Sequence, residues 1–128
     1  MSPFRIALAA TVLSALLLPT AARSQSATPV LHTTYRFVTV DSYDVGMAST
    51  GNPQVTVTGV LEDAQTPTTL TFRYATSSGS SYESPRTFER CERFALLAMS
   101  KPGQYQLELR QEYASSYGYQ LGCKLTRL

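Results

Sequence analysis

The stretch FERCERFALLAMSKPG, residues 88–103, breaks the rhythm of the chain around it. Phe88, Cys91, Phe94, Ala95, Ala98 and Met99 recur at intervals of three and four, the spacing that gathers side chains on one face of a helix. Upstream, Ser84 and Pro85 supply an N-cap and a first helical position, and Glu89 and Arg93 form a supporting pair four residues apart. Downstream, Lys101, Pro102 and Gly103 stop the pattern. A short apolar run such as RFALLAMS also admits a buried strand, but its Ala and Leu content favours a helix. The stretch therefore predicts a single helix over residues 85–101.

On both sides of this stretch the apolar residues alternate, the signature of strands with one buried face. QVTVTGVL sets Val55, Val57 and Leu61 against Thr56, Thr58 and Val60, and TLTFRYAT sets Leu70, Phe72 and Tyr74 against Thr69, Thr71 and Arg73. The turn residues of EDAQTPT between them predict a hairpin. VLHTTYRFVTV is rich in β-branched and aromatic residues but alternates less cleanly, which points to cover on both faces. After the helix, YQLELRQEY turns Tyr105, Leu107, Leu109 and Tyr113 inward. YGYQLGCKLTRL does the same with Tyr117, Tyr119, Leu121, Cys123 and Leu125, and ASSYG joins the two as a hairpin. The expected fold class is α+β: an antiparallel sheet of about five strands with the helix packed on one face. An all-β sandwich is the alternative.

Cys91 and Cys123 are the two cysteines of the chain. One lies on the apolar stripe of the helix and the other on the inward face of the last strand, so a helix-to-strand disulfide is expected. The other chemistries of sulfur fit poorly. A catalytic thiol needs a base, and His32 is the sole histidine. Zinc needs four ligands, and a redox pair is usually spaced Cys-x-x-Cys, whereas these two stand 32 residues apart.

The first residues match a secretory signal peptide: Arg5, a largely apolar run over Ile6–Leu18, then Pro19 and small residues, with Thr20 and Ala22 placed for cleavage after Ala22. The run is shorter than the roughly 20 residues of a membrane-spanning helix, and no second one follows, so no membrane span is expected once the signal is cleaved. The expected organisation is a signal peptide at 1–22, a flexible tail at 23–29 and one domain over 30–128, with a secreted or periplasmic destination that suits a disulfide. Loss of Arg5 leaves ten basic and nine acidic side chains, a net charge of about +1. The basic residues are scattered among acidic ones, so no nucleic-acid partner is expected.

Functional signals are sparse. Asp41 with Asp44 and Glu62 with Asp63 are paired carboxylates of the kind used in glycoside hydrolysis or calcium binding, but neither pair has the further ligands calcium requires. No Gly-x-Ser-x-Gly elbow or glycine-rich phosphate loop occurs, and no catalytic residue, metal site or cofactor is assigned. Outward Thr56, Thr58, Thr69 and Thr71 could present hydroxyls across two strands, although threonine is also an ordinary strand residue. Serine and tyrosine concentrate in residues 75–85 and 112–120, a composition suited to binding loops, with Tyr82, Tyr113 and Tyr117 as the candidate contacts. The expected function is an exported, non-catalytic module that binds a protein, a peptide or a surface glycan, an inhibitor being one form of it. The rival readings are a small secreted hydrolase using the acidic residues and a structural component of an envelope assembly.

Overall fold

The computed structural model describes residues 24–74, 83–116 and 118–128. The expected signal peptide, Tyr82 and Tyr117 lie outside them. The elements run β1 (Gln25–Ala27), β2 (Thr34–Phe37), β3 (Ser42–Met47), β4 (Pro53–Val60), β5 (Pro67–Arg73), α1 (Glu83–Ser100), β6 (Tyr105–Ala114) and β7 (Gly118–Arg127). This is α+β, with one helix among the described residues, but the strands number seven and form two sheets, ordered β1-β5-β4-β3 and β2-β6-β7. Both expected hairpins are present, β4 with β5 and β6 with β7. The departure from a purely antiparallel arrangement is β1, which runs parallel to β5. Its three residues, within the stretch expected to be a flexible tail, are exposed and carry no alternating pattern.

The two sheets meet along one bent chain segment. Phe37 at the end of β2 bridges Leu61, and Ser42 at the start of β3 pairs with Thr58, so residues 38–41 stand opposite only 59 and 60. The surplus forms a bulge that bends the strand, as extra residues in a ladder do, and Val40 within it is buried in the core. Hydrogen bonds pin the bend: Val38 N–H donates to Val60 O, Asp41 N–H to Thr58 O, Glu62 N–H to Arg36 O, and Val60 N–H to the Thr39 hydroxyl. Gly59 makes the bend possible, because a Cβ there would stand 2.1 Å from the carbonyl oxygen of Thr39. β3 went unread as a strand because this bulge interrupts the alternation between it and β2.

The core fills the angle between the sheets. Phe37, Val55, Val57, Leu70, Phe72, Leu107 and Leu109 are fully buried or nearly so. Tyr35 meets Phe72 edge to face at 6.0 Å between ring centres, a favourable aromatic geometry. The helix closes this core with the small side chains of its stripe. Cys91, Ala95 and Ala98 are 0–2% exposed, while Phe88, Phe94 and Met99 pack at the flanks. It begins at Glu83, two residues before the Pro85 expected to open it. Cys91 is bonded to Cys123, with 5.5 Å between the two Cα atoms. Leu109 stands opposite Cys123 in the register, so the bond fixes the helix over the middle of the β6–β7 hairpin.

Two predictions follow from this packing. Gly59→Ala, which in an unobstructed strand would be favourable, is expected to cost about 2–3 kcal/mol because a backbone atom occupies the space of the methyl group. Thermal unfolding should show a loss of roughly 10–20 °C for a domain of this size. Cys91→Ser or Cys123→Ser should cost about 3–4 kcal/mol in the chain-entropy model. Matching melting curves for reduced and oxidised protein would refute that expectation.

Candidate binding surface

Toward its turn the β6–β7 hairpin carries aromatic residues. Tyr113 and Tyr119 stand directly opposite one another in the register, and their ring centres lie 5.1 Å apart. Tyr113 was expected to point into the core with Leu107 and Leu109. It shares their face of the strand, yet it is 49% exposed because nothing in the described structure packs over this end. Residues 28–33, which lead from β1 into β2, lie alongside. They expose Val30 to 64% and Leu31 to 38%.

Polar contacts hold this lead-in segment in place. His32 adopts a left-handed backbone conformation, φ 63°, and its N–H donates to the carbonyl of Gln111. Its Nδ1 lies 2.6 Å from Glu112 Oε2, and the other oxygen of Glu112 meets Arg110. Val30 N–H donates to the Tyr35 hydroxyl at 2.8 Å. The exposed apolar residues are thus carried on a segment tied to β6 at several points.

Beneath the tyrosine pair is a pocket of about 120 Å³, lined by Thr28, Pro29, Leu31, Thr71, Arg73, Gln111 and Tyr119. Gln111 occupies an inward position of β6 and is only 4% exposed. Its Oε1 accepts the backbone N–H of Arg73 at 3.2 Å, which also settles which end of the amide is oxygen. Arg73 makes no ion pair among the described residues. The sequence pattern missed Gln111, because a polar residue at an inward position reads as a flaw in the alternation.

The other candidates do not come together in this way. Glu62 and Asp63 line a 310 Å³ depression with Arg36, whose guanidinium lies 3.7 Å from Glu62, while Asp41 and Asp44 are not among its lining residues. Among the described residues no group of three or more His, Cys, Asp or Glu side chains is placed to hold a metal ion. The threonines bond one another across the ladder, Thr56 to Thr71 at 3.0 Å and Thr58 to Thr69 at 2.8 Å, and Ser24 reaches Thr69. Their hydroxyls therefore complete a sheet surface. Tyr82 and Tyr117 lie outside the described residues.

One further tyrosine is distinctive. Burial, then the Glu92 carboxylate and then Tyr74, push the titration of the Tyr43 hydroxyl far above its ordinary value of 10.0. That hydroxyl is buried with no hydrogen-bond partner among the described residues. Because the unfolded chain releases this proton near its ordinary value while the folded one retains it, stability is present below that value and falls as pH rises beyond it. Tyr43→Phe should flatten the decline in stability above pH 10 without lowering stability at pH 7, where it removes only an unpaired polar group. Denaturant melts of both proteins across that range check the expectation. No family model, curated protein or solved structure matches this chain.

Proposed function

We propose that the chain is an exported, non-catalytic interaction module, with a protein or peptide partner that docks around Tyr113 and Tyr119 at the end of the β6–β7 hairpin. The observation that carries the reading is the exposed Tyr113 with its ring against Tyr119, and the exposed Leu31 that lines one pocket with Tyr119, next in the chain to the exposed Val30. Exposed apolar groups clustered with amphipathic rings mark contact surfaces, and tyrosine supplies a large contact area at low entropic cost. Export is supported by the form of residues 1–22 and by the disulfide, which persists in an oxidising compartment. No helix of the described residues is long and apolar enough to cross a membrane.

Two measurements test this. The intact mass of protein recovered from the periplasm or medium should correspond to a chain that starts at Arg23, and recovery of the uncleaved chain inside the cell would contradict export. Immobilised oxidised protein should capture a defined partner from envelope or culture fractions, and Tyr113→Ala combined with Tyr119→Ala should abolish capture. Lys124→Ala, an exposed change on the opposite face of the hairpin, should leave it intact. Capture indifferent to the two tyrosines would sink the assignment of the surface.

A further inference from the structure

We infer that the pocket beneath the tyrosine pair is a carboxylate-binding site, and that the partner presents there the free C-terminal carboxylate of a peptide ending in a small apolar residue. The inference rests on the binding reading given above and names the chemistry of the ligand.

The polar wall supplies donors. Gln111 is more than nine-tenths buried, and its Oε1 is taken by the backbone N–H of Arg73. Its Nε2 makes no hydrogen bond among the described residues and is not one of their fully buried unpaired atoms, so it reaches the surface, and Gln111 lines the pocket. An amide nitrogen is a donor only, so it calls for an acceptor. Arg73 is the single charged residue of the lining and has no carboxylate partner among the described residues. Its guanidinium offers a planar fork of donors matched to a carboxylate. Thr28 adds a hydroxyl, while that of Thr71 is engaged with Thr56. Among the described residues no acidic side chain lines the pocket, and the nearby Glu112 is engaged with His32 and Arg110 on the other face of β6.

The apolar wall sets the rest of the ligand. Leu31 and the ring of Tyr119 face the space that remains. At roughly 30 Å³ per water, 120 Å³ holds about four waters, a space suited to a carboxylate with a small apolar group at its side. The exposed rings above would then cover the residues that precede the terminus. An internal peptide segment brings a negative charge to Arg73 only through an Asp or Glu side chain, whereas a C-terminal carboxylate also adjoins the apolar side chain of the last residue.

The probes are N-acetyl-Gly-Gly-Val with a free carboxylate, the same peptide as its C-terminal amide, and isobutyrate. Titration of the ¹⁵N-labelled oxidised protein reads the side-chain amide signals of Gln111 and the Nε–H of Arg73. The free acid should shift both, and the amide should bind about tenfold weaker or less, the size of losing a charge-assisted hydrogen bond. Arg73→Gln, a change at an exposed position, should weaken the acid by a similar factor while the rest of the spectrum stays in place. Weaker shifts of the same signals by isobutyrate support a peptide terminus as the source, whereas isobutyrate binding as tightly as the peptide overturns that part of the inference. Equal binding of acid and amide, shifts confined to other residues, or no shift at millimolar probe overturns the carboxylate site itself. Partner capture that needs the tyrosines but survives Arg73→Gln removes this inference alone. Capture indifferent to the tyrosines removes the reading beneath it.

Discussion

The carbonyl of Thr39 passes so close over the Cα of Gly59 that no side chain fits between them. That contact lets one stretch of chain serve two sheets. β2 pairs with β6, β3 pairs with β4, and the bulge between them turns the first sheet into the second without breaking the chain of hydrogen bonds. Without the turn, Phe37 and Leu107 on one sheet would not face Val57 and Leu70 on the other, and the chain would have two half-buried sheets rather than a core between them. A fold of one helix and two small sheets depends on this, since a domain of about a hundred residues has little apolar surface to spare.

The helix and the disulfide act on top of that geometry. An angle between sheets is open on one side, and α1 fills it with Cys91, Ala95 and Ala98, whose small volumes permit close approach. The bond to Cys123 then fixes the helix over the middle of the last hairpin instead of its end. Tyr113 and Tyr119 lie past the covered region. The staple and the candidate binding surface share one hairpin, with Cys123 at its middle and Tyr113 and Tyr119 toward its end. The outer edge of β7 is also unpaired among the described residues. Lys124 and Arg127 stand on that strand, and such charges discourage edge-to-edge pairing with a second copy.

Period and spacing revealed the helix, its buried stripe, the two hairpins and the disulfide, since each is written in local alternation or in a cysteine at an inward position. The division into two sheets was not legible. Gly59 reads as an ordinary weak point of a strand until Thr39 is seen against it, and those two residues are brought together by pairing across the sheet. β1 carries no pattern at all, being three exposed residues held by a neighbouring strand. Of the candidate binding residues, Tyr113 is described, and Tyr119 was read only as part of the inward face. Tyr113 is half exposed although it shares the inward face of β6, which alternation does not encode.

Gln111 shows why a defect in pattern can carry more information than the pattern itself. An inward amide on a strand is unfavourable unless its donors and acceptor are paired, and replacing it with leucine would extend the apolar row of Leu107 and Leu109. One half of the amide is accounted for by the backbone of Arg73, and this contact ties the end of β5 to β6 where the two sheets come together again. A purely structural role would need only that half, which a serine or threonine of suitable reach could also fill. The other half borders a pocket whose one charge is an arginine without a partner among the described residues. Gln111 and Arg73 come from elements far apart in sequence and line the same small space. An acceptor supplied from outside would satisfy both at once.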